Sequence, residues 1–144
     1  MIKKHNYTWI VVEDNHDDFI IIDICIKQIT KEIDVVIDLV HQKDHVETYN
    51  YLLSNNKCDL LLLDINLPIK NGLDILAELD RFKYSFPVIV MSTSVCEEEI
   101  KKAYSLGCSA FVPKLSDLSE VISSLNHIIE FYCLTVITPG DFYV

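Results

Sequence analysis

At 144 residues the chain has the size of one domain, long enough to bury a real core. Half of its residues are hydrophobic and its mean hydropathy is +0.24, which excludes disorder, yet its apolar runs fall far short of the ~20 residues a membrane helix needs. Twelve basic against twenty-two acidic residues give a formal charge of −10 with no Lys/Arg stripe, which argues against nucleic-acid binding.

Met1-Ile2-Lys3-Lys4 is basic, but no run of signal-peptide length follows it. Cys25, Cys58, Cys96, Cys108 and Cys133 contain no C-x-x-C pair and read as small buried apolar residues of a reducing compartment. The five histidines show no metal-ligand spacing. The cytoplasm is the expected location.

After a polar lead-in over residues 1–7, Thr8-Trp9-Ile10-Val11-Val12 reads as a strand that stops at Glu13-Asp14-Asn15. Asn15 or His16 opens an isoleucine-rich helix running to about Lys31, with Asp17 and Asp18 placed for its N-terminal dipole. A second strand spans Val35–Val40. Asp44 with Glu47 resembles a capping box for a helix over Val46–Leu53, which Ser54-Asn55-Asn56 ends. Next come Cys58-Asp59 and four consecutive leucines, a run too short for a helix and suited to a strand buried on both faces. It ends at Asp64, and Asn66 and Pro68 turn the chain into a loop. Leu73–Leu79 has helical periodicity. Pro87–Met91 is a fourth strand ending in Ser92-Thr93-Ser94. Glu97-Glu98-Glu99 opens a helix through Leu106, stopped by Gly107. Ala110–Pro113 is a short fifth strand ending at Lys114. Ser116 or Asp117 caps a last helix reaching about Tyr132, and Leu134–Ile137 forms an apolar tail.

The alternation of strand and helix predicts an α/β fold, a right-handed doubly wound parallel sheet of five strands in the flavodoxin-like order 2-1-3-4-5. In that order strands 1, 3, 4 and 5 deliver Glu13/Asp14, Asp64, Ser92 and Lys114 to one crevice. Three carboxylates packed together cannot all stay ionised without a cation, and oxygen ligands suit Mg²⁺. With a lysine and a hydroxyl aimed at the same spot, the set is what phosphoryl transfer to a carboxylate needs.

Val11-Val12-Glu13-Asp14-Asn15, Leu63–Pro68 with Asn71-Gly72, Pro87–Ser92 and Phe111-Val112-Pro113-Lys114 resemble the motifs of two-component response-regulator receiver domains. The resemblance covers about residues 8–132 and leaves 133–144 as a C-terminal extension to one receiver domain. It implies that Asp64 is the phosphoacceptor. Asp14 and Asp64 would hold Mg²⁺ directly, Glu13 through water, and the backbone carbonyl of Asn66 would complete the protein ligands. Ser92 and Lys114 would grip the phosphoryl oxygens, and Phe111 would turn inward as Ser92 moves.

More narrowly, Glu13–Asp18 and Phe131-Tyr132…Val136-Ile137-Thr138-Pro139 are similar to single-domain regulators that partner bacterial phytochromes. In that group the C-terminal extension contributes to dimer contacts. Packing of the tail on its own domain is the other reading, and both stay open at this point. The chain departs from the family in three places. Leu115 stands where a cis proline is usual, Thr93 where a small residue is usual, and Phe111 lacks a hydroxyl. A cis bond without proline costs about 3 kcal/mol, so that loop is either trans or strained.

The expected role is therefore a signalling module and not an enzyme, catalysing only its own aspartyl phosphorylation and dephosphorylation. Its phosphoryl donor is a histidine kinase, a bacterial phytochrome or a phosphotransfer protein among the candidates. With no output domain in 144 residues, the signal is expected to leave through protein contact, a second copy of the chain included. Neither nucleic acid nor membrane is an expected partner. Two rivals are a pseudo-receiver that binds without being phosphorylated and a haloacid-dehalogenase-type phosphatase. The latter family wants Asp-x-Asp on its first strand, where this chain has Glu13-Asp14 adjacent.

Overall fold

The structure is a computed structural model describing residues 3–54, 56–67, 71–82 and 84–142, the side chain of Phe82 excepted. Asn55 and Pro68, read above as turn formers, lie outside the described residues, as do Met1 and Ile2 of the basic lead-in.

The described residues form β1 (Asn6–Val12), α1 (His16–Thr30), β2 (Val36–Gln42), α2 (His45–Leu53), β3 (Leu60–Asp64), α3 (Gly72–Phe82), β4 (Val88–Ser92), α4 (Glu97–Ser105), β5 (Ala110–Pro113) and α5 (Leu118–Ile129). The five strands make one parallel sheet in the order β2-β1-β3-β4-β5, the doubly wound arrangement expected. None of the described helices is long and apolar enough to cross a membrane.

The four leucines of β3 explain why this strand is central. Alternate side chains of a strand point to opposite faces. Leu60 and Leu62 pack with Trp9, Val11, Ile89 and Met91 beneath α1 and α5. Leu61 and Leu63 pack with Ile10, Val12, Val88 and Val90 beneath α2, α3 and α4. Each of the four leucines is 1% exposed or less, so an apolar residue is needed at every position. Local signals set the helix starts. Asn15 Oδ1 accepts the Asp18 N–H at 3.1 Å to cap α1, and Asp44 Oδ1 accepts the Glu47 N–H at 2.9 Å to cap α2. Gly107, at φ +97°, ends α4 in a conformation that suits glycine.

Both ends of the chain depart from the expected boundaries. β1 begins at Asn6, and Tyr7, within the stretch read as a polar lead-in, is buried. α5 gives way at Glu130 to a π-helical stretch, Glu130–Thr135, and a 3₁₀ turn follows at Pro139–Phe142. The two ends meet in a largely buried polar cluster at the N-terminal end of the sheet. Lys3 pairs with Asp141 and donates to the carbonyls of Tyr132 and Val136. Lys4 pairs with Asp59 and donates to the Gly140 carbonyl at 2.8 Å. The Tyr7 hydroxyl lies 3.3 Å from both the Cys133 carbonyl and Asp141 Oδ1. The tail thus packs on its own domain through polar contacts, while Phe131, Leu134, Ile137 and Phe142 point outward.

Candidate functional site

The ends of four strands, β1, β3, β4 and β5, converge at the C-terminal edge of the sheet. At the end of β1 the chain turns into α1, and the Asn15 N–H donates to Glu13 Oε1 at 3.2 Å, drawing that carboxylate inward. Glu13 is buried, whereas its neighbour Asp14 is exposed. β2 fixes the Glu13 backbone: its N–H donates to the Gln42 carbonyl at 3.0 Å, and His41 Nε2 lies 2.6 Å from its carbonyl. The His41 ring is itself held by stacking on Phe19, with centroids 4.1 Å apart.

Asp64 ends β3, buried, and its Oδ1 accepts the Asn66 N–H at 2.9 Å in a tight turn. Gly72 permits this turn. A Cβ there would lie 2.5 Å from Ile65 Cα and 2.6 Å from the Asp64 carbonyl oxygen, so α3 starts hard against the strand end. One carboxylate oxygen from each of Glu13, Asp14 and Asp64 lies within 4.8 Å of the others. Such an all-oxygen set fits a hard divalent cation. Electrostatics agree: burial, together with the Asp64 charge, pushes the Glu13 carboxyl up to about 7 against the pull of Lys114.

Lys114 follows β5, with its N–H on the Ser92 carbonyl at 2.7 Å. Its Nζ lies 2.8 Å from Glu13 Oε2, 3.0 Å from Asp18 Oδ2 and 3.2 Å from Asp64 Oδ2. Burial alone would lower the ammonium's affinity for its proton, but the hydrogen bonds it donates to Glu13 and Asp18 and the Asp64 charge outweigh it, so the lysine stays cationic. The Lys114–Leu115 bond is trans, which resolves the alternative left open by the missing proline.

The buried Ser92 hydroxyl lies 3.3 Å from Asn66 Nδ2, which also reaches Thr93 Oγ1 at 3.4 Å. Phe111 is half-buried on the α2–α3–α4 side of the sheet, and its N–H donates to the Tyr104 hydroxyl of α4 at 3.1 Å. The structure therefore gathers Glu13, Asp14, Asp64 and Lys114 into one pocket, with Asn66, Ser92 and Thr93 linked at its rim and Phe111 further along β5. Two residues at the site escaped the sequence reading. His41 was findable once register was known, since β2 runs beside β1 with Val11 opposite His41. Asp18 was read only as a helix-dipole partner, and nothing in the sequence separates it from Asp17.

Fold and site define a receiver. The model of the response regulator receiver domain matches residues 9–126, and the chain belongs to that family, a component of two-component systems. The curated relatives are regulators: Response regulator Rcp1 of Synechocystis sp. is 32% identical over 84 residues, 57% of either chain. Response regulator SaeR of Staphylococcus aureus is 30% identical over 120 residues, 83% of this chain and 49% of that protein. The chain spans about half the length of these relatives. Among solved structures, the phosphorylated cyanobacterial phytochrome response regulator RcpA superposes with a TM-score of 0.82 at 31% identity, covering 94% of this chain and 99% of that one. The Mn²⁺-bound form of Rcp1 gives 0.79 at 26% identity, covering 92% and 99%. These matches do not favour the phosphatase reading.

Proposed function

We propose that the chain is a single receiver module, with its core at about 8–132, that takes a phosphoryl group onto Asp64 from a histidine kinase or phosphotransfer protein. The observation that carries this reading is the position of the Lys114 ammonium, 3.2 Å from Asp64 Oδ2 and beside the acid set. Asp64 attacks the phosphorus of a phosphohistidine in line; the new P–O bond forms as the P–N bond breaks and imidazole leaves. Glu13, Asp14, Asp64 and the Asn66 carbonyl would hold Mg²⁺, which supplies positive charge to the transferring group. Lys114 and the Ser92 hydroxyl bind the phosphoryl oxygens, with Thr93 beside them. As Ser92 leaves Asn66 for the phosphoryl group, Phe111 follows it inward, and the face of α4, β5 and α5 changes for a partner to read.

A bacterial phytochrome is the kinase we favour, supported by the likeness to RcpA over nearly all of that chain. A second copy is the partner we assign to the C-terminal segment, where the large apolar side chains Phe131, Leu134, Ile137 and Phe142 are all exposed. The five free cysteines support a cytoplasmic home.

The test is the intact mass of wild type and Asp64→Asn after incubation with acetyl phosphate and Mg²⁺, with size-exclusion elution alongside. A phosphoryl mass gain in wild type alone is expected, with earlier elution of the phosphorylated form. No gain, with a panel of histidine kinases as donors, would leave a pseudo-receiver that only binds.

A further inference from the structure

The Lys114 ammonium has three N–H donors and three carboxylate neighbours, Glu13 at 2.8 Å, Asp18 at 3.0 Å and Asp64 at 3.2 Å. Two of those neighbours belong to the oxygen set that fits a divalent cation; Asp18 does not. Glu13 and Asp64 would serve as ligands to a bound cation, and Asp18 would then remain to Lys114 as the carboxylate outside that set. The Asp18 backbone is anchored by the cap of α1, its N–H bound to Asn15 Oδ1, so the carboxylate starts from a fixed point. Asp17, one residue earlier, is exposed and offers a matched charge at a different angle.

We propose that Asp18 is a positioning residue, the dedicated counter-ion that holds the Lys114 ammonium at the edge of the acid pocket while the cation occupies it. This rests on the reading of Asp64 as acceptor. A lysine inside a cluster of carboxylates competes with the metal for the same oxygens. Asp18 relieves that competition, because it keeps a hydrogen-bonding partner for the ammonium outside the metal's ligand set. It also leaves Nζ within reach of the incoming phosphoryl oxygens without a search through rotamers. Without Asp18, the ammonium would settle more firmly on Glu13 and Asp64, and both carboxylates would be less available to a cation.

The bland alternative is a partly exposed ion pair of no consequence, since the Asp18 side chain is 39% exposed. The two differ in what a matched charge change does. Mg²⁺ is titrated calorimetrically into wild type, Asp18→Asn, Asp18→Glu and Asp17→Asn, and lysine-ammonium NMR spectra are recorded on the Mg²⁺-loaded proteins. Asp18→Asn is expected to weaken Mg²⁺ by about fivefold, Asp17→Asn to leave it nearly unchanged, and Asp18→Glu to recover most of the loss. The Lys114 ammonium signal, protected in wild type, is expected to vanish in Asp18→Asn. Equal weakening by Asp17→Asn and Asp18→Asn, or an unaltered Lys114 signal, overturns the proposal. A wild type that binds Mg²⁺ but gains no phosphoryl mass refutes the acceptor reading instead, and the titration still decides the role of Asp18.

Discussion

Glu13 sits inside the protein as a carboxylate that burial and Asp64 oppose and Lys114 supports. Its carboxyl titrates at about 7 in the folded state against an ordinary 4.5. Folding therefore takes up a proton between those values, and the stability this group contributes is fully present below 4.5 and lost as pH rises through 7. The metal-free protein is expected to gain denaturation midpoint from this group as pH falls from about 8 to about 5, and Glu13→Gln is expected to lose that gain. Urea titrations of both proteins across that range decide it; identical pH slopes would remove Glu13 as the source. Residues of this kind were legible in the sequence because each ends an apolar run: Glu13 after Val12, Asp64 after four leucines, Lys114 after Phe111-Val112-Pro113. Asp18 was not legible, because its role depends on which side of the first turn of α1 faces β5, and two adjacent aspartates give no local sign of that. His41 was missed for a different reason. Its partner is a backbone carbonyl, and no pattern of residue types marks one.

At the scale of elements, β5 was read to its exact ends and α5 was not. Ala110–Pro113 is bounded by Gly107 on one side and by a proline and a charged residue on the other, which are strong local stops. The apolar spacing of α5 runs on through Ile128, Ile129 and Cys133, all buried, so periodicity continues after the hydrogen bonding has changed. The turn widens where Val136 N–H reaches back to the Phe131 carbonyl and the Thr135 hydroxyl to that of Glu130. Long-range contacts from Lys3 and Tyr7 favour that geometry, and they lie more than a hundred residues away in sequence. The junction of β3 and α3 gives the sharper prediction. Gly72→Ala forces a methyl group into the Asp64–Ile65 backbone, so it is expected to cost about 1–3 kcal/mol and to slow acetyl phosphate labelling by displacing Asp64. A variant with wild-type stability and labelling rate would show that α3 shifts freely.

For the whole molecule, the topology followed from the order of elements alone, since parallel strands joined by helices leave few right-handed arrangements. The polar cluster at the N-terminal end of the sheet did not follow, because Lys3 and Lys4 look like solvated residues until Asp59 and Asp141 are placed beside them. The side chains of Lys4 and Asp59 are 6% and 3% exposed, and Asp59 Oδ2 also accepts the Thr8 N–H at 2.8 Å. Removing one partner leaves a buried charge alone, so Asp59→Ala is expected to cost about 3 kcal/mol while Mg²⁺ affinity stays unchanged. Thermal melts and Mg²⁺ titrations of that variant check both halves. A fall in Mg²⁺ affinity would mean that the two ends of the sheet are coupled.

That cluster also decides how the molecule bears load. Lys3 and Lys4 near one end of the chain grip Asp141 and Gly140 near the other, so the two ends are latched to each other. A pull applied through these two segments is carried first by the ion pairs and carbonyl contacts that join them, a path in parallel with the strands. The parallel ladder and the acid pocket at its far edge feel that tension only after the latch has opened. The protein thus has a mechanical fuse at the pole opposite its candidate site.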